Sequence, residues 1–170
     1  MMCQYLTSLL QILQKMLIMP KIVISDTSCL IILSNINELS VLKDLYGEIY
    51  TTIEISNEFG EPLPDWIIIR APGDLLIKRS LEQQVDKGEA SAIALAMETP
   101  GCILILDDQK ARKIAEKYNL KITGTLGVIL HAYEKGVVMS VKQILEKMKR
   151  SGFRISEEIE REIIERSGEL

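Results

Sequence analysis

Carboxylate and hydroxyl side chains follow the first strand-like run of the sequence. Lys21 to Ser25 is a short run rich in β-branched residues, and Asp26, Thr27 and Ser28 come directly after it. Such a run is typical of a buried parallel strand. We therefore expect the three polar side chains at the carboxyl end of that strand, where open parallel sheets gather their functional residues.

Further carboxylates occur at comparable places along the chain. Glu58 lies in a helical pattern after a second strand, and Glu89 opens a helix of small apolar residues. The pair Asp107 and Asp108 follows the clearest central strand. Carboxylates brought to one sheet edge repel each other, and a bound cation relieves that repulsion. Oxygen-only ligands select hard ions such as Mg²⁺ or Mn²⁺, which activate water and hold a phosphodiester in two-metal nucleases.

Each of these carboxylates also has a purely structural interpretation. The Asp26 to Ser28 segment fits a turn in which Thr27 or Ser28 is the N-cap of a helix. Glu58 fits a solvated helix carboxylate, and Glu89 fits a side chain that complements a helix dipole. The order and the flanks of the acidic residues together favour one shared site over these separate interpretations.

The same two interpretations apply to the later residues of the pattern. Asp107 and Asp108 fit either metal ligands or the N-cap of the helix that follows. Thr125 comes after Gly124 at the start of another helix, and we interpret it as a cap in preference to a ligand.

The bulk composition is that of one globular domain. The 170 residues are 47% hydrophobic and 26% charged, which suits a single core. The formal net charge of −4 argues against nucleic-acid binding by a broad basic surface. RNA binding through a local metal site is compatible with that charge.

Histidine and cysteine usage narrows the chemistry further. His131 is the only histidine, so a histidine zinc site or a Ser-His-Asp triad would depend on one residue. Cys3, Cys29 and Cys102 have no C-x-x-C spacing. We expect free thiols and a cytoplasmic protein.

Residues 1–20 form a leader that differs from the domain predicted over residues 21–170. The leader has apolar residues at helical spacing, but it is too short and too polar for a membrane span. It also lacks the pattern of a signal peptide. Two interpretations remain: a peripheral amphipathic helix that packs on a partner, or translation that begins at Met16 or Met19. The Met-Pro-Lys-Ile-Val-Ile stretch favours the later start.

Strand and helix patterns alternate along the domain. Strands are predicted at Lys21–Ser25, Glu48–Thr51, Trp66–Arg70, Cys102–Leu106 and Lys121–Thr123. Helices are predicted at Cys29–Ser34, Glu38–Leu45, Ile53–Phe59, Leu75–Asp86, a stretch opening at Glu89, Lys110–Tyr118, Leu126–Glu134, Val141–Lys149 and Ser156–Arg166, with Gly88 as a helix breaker. The alternation predicts an α/β fold, a three-layer α/β/α arrangement with a mainly parallel central sheet.

Several short motifs occur in a fixed order along this pattern. They are Asp26-Thr27-Ser28 after the first strand, Glu58 on a following helix, and the stretches Gly88–Ala96, Leu104–Arg112, Gly124–Gly127 and Gly152–Ser156. In this order the chain resembles the PIN domain, and more narrowly the prokaryotic PIN-like branch related to VapC-type toxins. The resemblance extends from Lys21 to Glu169.

The resemblance implies a PIN-like fold and a metal-dependent ribonuclease, often the toxin of a type II toxin–antitoxin pair. It implies a Mg²⁺ or Mn²⁺ site, with ligands at Asp26, Glu58, Glu89 and either Asp107 or Asp108. Of the last two we favour Asp108, because the turn pattern of the family places its carboxylate there.

The resemblance also assigns secondary roles and shows two departures. Thr27, Ser28 and Thr125 are the candidates for contacting substrate or water. Leu106 stands where the family has a turn hydroxyl, and Glu89 stands where the family often has Asp. Both departures bear on activity more than on fold.

Other classes of function stay open from the sequence. A catalytically weak or silent PIN-like module that binds RNA or a protein is slightly favoured by the two departures. A phosphatase with an aspartate nucleophile needs a second Asp where Ser28 stands, and a receiver domain needs a lysine where Gly124 follows the late strand. These two classes fit less well.

The resemblance implies an RNA substrate, an antitoxin protein and a homodimer, with no membrane partner. Apolar residues of the two terminal helices fit either a partner surface or closure of the core. These residues are Ile144, Leu145, Met148, Ile155, Ile159, Ile163 and Ile164.

Overall fold

The computed structural model describes residues 22–169, so the predictions for the leader and for Lys21 lie outside the described range. Within that range a five-stranded sheet is all parallel and has the order β3-β2-β1-β4-β5. The strands are β1 (Val23–Ser25), β2 (Ile49–Thr51), β3 (Ile67–Ile69), β4 (Ile103–Ile105) and β5 (Lys121–Thr123). The sheet lies between layers of helices, which confirms the predicted three-layer α/β/α fold.

Helices connect the strands and extend the chain beyond β5. They are α1 (Thr27–Asn35), α2 (Ser40–Tyr46), α3 (Ile53–Phe59), α4 (Leu75–Glu82), α5 (Lys87–Met97), α6 (Gln109–Lys117), α7 (Thr125–Glu134), α8 (Val141–Arg150) and α9 (Glu157–Ser167). Each predicted strand and helix of the described range is present, with ends that shift by a few residues.

The two central strands carry the acidic residues to one edge. β1 pairs with β4 in register, and Ile24 lies opposite Leu104. Both side chains are fully buried, as expected for strands covered on both faces. The ladder continues past β1, because the Asp26 N–H donates to the Ile105 carbonyl at 3.1 Å. Asp26 and the residues after β4 therefore share the carboxyl edge of the sheet.

Helix α5 packs closely on the sheet because its side chains are small. Ala90, Ala92 and Ala94 are buried, so the α5 backbone approaches the neighbouring elements without a gap. Polar contacts fix its position. The Ser91 hydroxyl donates to the Gly88 carbonyl at 2.7 Å, and it lies 2.6 Å from the Thr52 hydroxyl at the start of α3. This pairing holds the first turns of α3 and α5 together.

Two predicted helix boundaries were wrong for a reason that involves side-chain caps. The prediction made Gly88 a helix breaker after a helix ending at Asp86, whereas α4 ends at Glu82 and Gly88 lies in the first turn of α5. Asp86 is the N-cap of α5, and its N–H donates to the Glu89 carboxylate at 3.2 Å. This capping interaction starts the helix upstream of the glycine.

The terminal helices mainly close the core. Ile144, Leu145, Met148 and Ile163 are buried, whereas Ile159 remains exposed. Within residues 22–169, no helix has both the length and the apolar character needed to span a membrane.

Candidate functional site

Asp26 is the most buried carboxylate at the edge of the sheet, with 2% of its surface exposed. Its Oδ1 accepts the Cys29 N–H at 3.0 Å, and its Oδ2 accepts the Asp107 N–H at 3.2 Å. Asp26 is thus the N-cap of α1, and the predicted caps Thr27 and Ser28 were wrong. The β-region backbone of Asp26 directs its carboxylate to the free N–H groups of the first turn.

The pKa of Asp26 is raised to about 7. Burial is the largest cause, and the neighbouring carboxylates of Asp107 and Glu89 raise it further. The two backbone N–H donors oppose the shift by stabilising the charged form. A buried carboxylate whose charge is disfavoured in this way is a group that a bound cation would stabilise.

Glu58 is held beside Thr27, the residue after Asp26, by a contact between two helices. The Thr27 hydroxyl donates to Glu58 Oε2 at 2.7 Å. Gly88 makes room for this pair, because a Cβ built there would stand 2.7 Å from the same Oε2 atom. Segments from α1, α3 and α5 therefore meet at one carboxylate oxygen.

Glu89 faces the same edge from the first turn of α5. Burial raises the pKa of Glu89, and the carboxylates of Asp108 and Glu58 add to the rise. The Asp86 N–H lowers it by donating to Glu89. The capping role considered from the sequence is present, and it leaves Glu89 within electrostatic range of the other acids.

Asp107 is fixed by Thr125. The Thr125 N–H donates to Asp107 Oδ1 at 2.8 Å, and the Thr125 hydroxyl donates to Oδ2. The N-cap position of α7 is Gly124, so the prediction of Thr125 as a cap was wrong. Its hydroxyl is drawn instead to a carboxylate on the neighbouring strand end, because β4 and β5 pair side by side.

Asp108 is the N-cap of α6, and its Oδ1 accepts the Ala111 N–H at 2.8 Å. It is exposed, whereas the preceding Leu106 is fully buried. Leu106 stands at the position where the PIN domain has a turn hydroxyl, and it contributes no hydroxyl there. Ser28 is exposed in the first turn of α1, where its hydroxyl is open to solvent.

All five predicted acidic residues are brought to one region. The carboxylates of Asp107 and Glu89 raise the pKa of Asp26, and those of Asp108 and Glu58 raise the pKa of Glu89. Glu89 therefore links the two halves of the group. Within residues 22–169, however, no three acidic, histidine or cysteine side chains are already close enough together to hold a metal ion.

The donor chemistry of this region fits a hard divalent cation. Carboxylates and hydroxyls provide only oxygen atoms, the ligands that Mg²⁺ and Mn²⁺ prefer. Glu58, Glu89 and Asp108 each have one carboxylate oxygen in a hydrogen bond within the described part of the chain. Their second oxygens have no hydrogen-bond partner in that part of the chain and are available to a ligand. The raised pKa values of Asp26 and Glu89 indicate that the negative charge at this edge is not compensated.

Sequence reasoning missed the residues that shape the site. Arg112 donates to the Leu106 carbonyl at 2.8 Å, and a Cβ on Gly124 would stand 2.8 Å from Asp107 Oδ1 and 3.2 Å from the Arg112 guanidinium. Both residues lie in motifs noted from the sequence. A role for Arg112 was not assigned, because no local pattern shows that a helix side chain reaches back to the strand end.

A cavity of about 560 Å³ opens beside Glu58 and Gly88. It is lined by polar and charged side chains of α3, α4 and the start of α5. Lys78 forms ion pairs in it with Glu54 and with Glu82, the latter at 3.7 Å. The acidic edge is therefore accessible from this side.

The fold and the site together define an α/β protein with an acidic site at the carboxyl edge of a parallel sheet. Comparison with known families agrees with this description of the fold: a family model described as a PIN domain matches residues 22–169. The chain belongs to the PIN-domain family. This membership supports a nuclease-type function. No curated protein and no solved structure gave a significant match.

Proposed function

We propose that the protein is a ribonuclease that hydrolyses RNA phosphodiester bonds with Mg²⁺ or Mn²⁺. The observation that carries this proposal is the buried Asp26, whose pKa is raised to about 7 amid the other carboxylates. Perturbed carboxylates that converge on one edge are typical of functional sites. PIN-family membership supports the same class of activity.

In this proposal Asp26, Glu58, Glu89 and Asp108 hold the cation. Asp26 is the most rigid of these, because backbone N–H groups fix both of its oxygens. A hard cation at this place would supply a more acidic water molecule and charge neutralisation for the phosphate. We assign Asp107 a positioning role, in which the N–H and the hydroxyl of Thr125 tie its carboxylate to the start of α7. The fourth ligand is Asp108, whose second oxygen has no hydrogen-bond partner among the described residues.

The hydroxyl groups divide into two roles. The Thr27 hydroxyl donates to Glu58 and so positions that proposed metal ligand. Ser28 is exposed at the first turn of α1, where it is free to contact a water molecule or a phosphate oxygen. Thr125 acts through Asp107.

The biological role that we propose is that of a cytoplasmic toxin in a type II toxin–antitoxin pair. Support comes from the motif order that resembles the VapC-related branch. An antitoxin protein and a second copy of the chain are the proposed partners. The exposed Ile159 of α9 is the residue of the apolar terminal set that a partner would cover.

A catalytically silent PIN-like module is the second candidate. The buried Leu106, in place of a turn hydroxyl, is the observation that favours it. A silent module would bind RNA or a protein without metal-dependent cleavage.

The first experiment compares the full chain with its Asp26→Asn variant on a pool of structured and unstructured RNA. Mg²⁺, Mn²⁺ and EDTA arms are run in parallel. The exposed Asp44→Asn is the matched control, because it removes the same charge outside the acidic edge. Cleavage that needs the metal, is lost in Asp26→Asn and persists in Asp44→Asn supports the ribonuclease. Absence of cleavage together with absence of Mn²⁺ binding by calorimetry would replace it with the silent module.

A further inference from the structure

A second cavity, of about 540 Å³, opens on the other side of Asp107. Strand β5 and helices α6 and α7 line it, together with the α8–α9 connection and α9. Its size falls within the range of about 300–1,000 Å³ that is typical of small-ligand pockets. None of the candidate metal ligands other than Asp107 contributes to its lining.

The lining of this cavity combines an apolar wall with cationic groups. Leu126, Leu130, Phe153 and Ile163 provide the apolar wall. Arg112 and Arg166 provide two guanidinium groups against the single carboxylate of Asp107. Among the residues that line the cavity, the cations outnumber the carboxylates, and the one carboxylate paired with Arg166, that of Glu162, lies outside the lining.

The backbone at Phe153 is fixed at this wall. Gly152 ends α8 in the left-handed region with φ +91°, and the Phe153 N–H donates to the Met148 carbonyl at 3.0 Å. The Gly152 N–H donates to the Lys149 carbonyl at 3.0 Å. This pair of bonds is the Schellman arrangement, which fixes the chain direction after a helix. The ring is half-buried against the core, so it is both anchored and accessible.

The cavity borders the acidic edge at Asp107, which belongs to both. Gly124 also lines the cavity, and a Cβ at this position would stand 2.8 Å from Asp107 Oδ1 and 3.2 Å from the Arg112 guanidinium, so glycine lets these two side chains pack against the turn. Because Asp107 is shared, a strand bound at the acidic edge would pass next to this cavity.

We propose that this cavity binds one unpaired nucleotide of the RNA substrate next to the bond that is cleaved. The inference rests on the proposed ribonuclease function and deepens it. The base lies against the Phe153 wall, because aromatic faces stack on bases regardless of sequence. Arg166 neutralises a phosphate of the same strand. A base that stays paired cannot enter such a cavity, so the nucleotide bound here must be unpaired.

The test measures binding of a single-stranded oligonucleotide with 2-aminopurine placed at successive positions. It uses the full chain with Asp26→Asn and Mg²⁺, and the RNA is checked to be intact. Phe153→Leu keeps an apolar side chain without a ring, and Phe153→Tyr keeps the ring. Arg166→Gln removes a cation that lies 3.6 Å from Glu162 one helical turn away. Arg150→Gln is the matched control, because Arg150 makes an equivalent 3.6 Å pair with Glu146 outside this cavity.

We expect Phe153→Leu to weaken binding about tenfold, the scale of one lost base–aromatic stack, and to abolish the quenching of 2-aminopurine at one position. Phe153→Tyr should retain both signals. Arg166→Gln should weaken binding several-fold and lower the dependence on salt, whereas Arg150→Gln should leave both unchanged. Melting temperatures establish that each variant is folded.

Equal affinity of Phe153→Leu and Phe153→Tyr, equal effects of the two arginine variants, or an absence of RNA binding would overturn this inference. The ribonuclease proposal is judged separately, from cleavage by the chain with Asp26 intact. Metal-dependent cleavage that is insensitive to Phe153 would leave the ribonuclease in place and exclude the nucleotide cavity. RNA binding that depends on Phe153, without any cleavage, would support the nucleotide cavity and exclude the ribonuclease.

Discussion

The Thr27 hydroxyl donates a 2.7 Å hydrogen bond to Glu58 Oε2, across 31 positions of sequence. This bond joins the start of α1 to the end of α3 at the acidic edge. Gly88 of α5 lies against the same oxygen atom, where any larger residue would collide with it. The placement of Glu58 therefore depends on a hydroxyl donor and on the absence of a side chain at position 88.

Replacing Gly88 by Ala tests this dependence. The added Cβ would stand 2.7 Å from Glu58 Oε2, so Glu58 must move. We expect RNA cleavage to fall by about 10²-fold, the loss that a displacement of about 1 Å causes in a catalytic site. Stability should change little, because Ala is favoured over Gly within a helix by up to about 1 kcal/mol. Gly73→Ala, outside the acidic edge, is the control, and wild-type cleavage by Gly88→Ala would contradict the prediction.

Thr125→Val removes the hydroxyl that donates a hydrogen bond to Asp107. Valine has nearly the same volume as threonine, which matters because Thr125 is only 1% exposed. We expect a loss of about 1–3 kcal/mol in the free energy of unfolding, since the hydrogen bond is made to a charged group. Cleavage should fall because Asp107 loses one of its two contacts with Thr125. Thr125→Ser retains the hydroxyl and should behave like the wild type. Chemical denaturation compares the three proteins, and equal stability of Val and Ser variants would refute the role of this bond.

Separate Asn substitutions distinguish the roles of Asp107 and Asp108. Asp108→Asn keeps a good helix N-cap but removes a proposed metal ligand. We expect it to lower Mn²⁺ affinity strongly, as measured by calorimetry, with little change in melting temperature. Asp107→Asn should lower the melting temperature, because the charge-assisted bond from the Thr125 hydroxyl is replaced by a weaker neutral one, in which the amide N–H donates to that hydroxyl. The opposite pattern of the two variants would exchange these assignments.

The pKa of Asp26 predicts how stability changes with pH in the absence of metal. The folded-state pKa is raised to about 7, above an unfolded value of about 3.9. Between these values the folded protein holds a proton that the unfolded chain has released. The free energy of unfolding should therefore fall as pH rises from about 4 to 7 and then level off. The loss is at most a few kcal/mol, at about 1.4 kcal/mol per pKa unit.

Denaturant unfolding in EDTA from pH 4.5 to 8 measures this dependence. Asp26→Asn has no proton to release, so most of the slope should disappear and the variant should exceed the wild type in stability above pH 7. Mn²⁺ should restore stability to the wild type at pH 8, because it compensates the ionised carboxylate. If the free energy of unfolding changed with pH equally in the two proteins, Asp26 would not be the group whose pKa is raised.

Much of the fold was predictable because the forces that set it act locally. Helix α3 runs over Ile53–Phe59, the range predicted from its sequence, and Thr52 is its N-cap. The edge strand Lys121–Thr123 also has its predicted bounds. Hydrophobic periodicity and caps extend over only a few residues, so they can be seen along the chain. The parallel sheet followed from the alternation of strands and helices.

The sequence by itself determined which residue types follow each strand, and so that carboxylates gather at one edge of a parallel sheet. Only the tertiary structure decided their partners. Asp26 became a helix cap, Thr125 reached Asp107 across 18 positions, and Phe153 from the tail came to line a cavity beside that same aspartate. Such contacts depend on the order of strands and on the packing of distant helices. Those quantities are set by burial summed over the whole chain, which no local pattern contains.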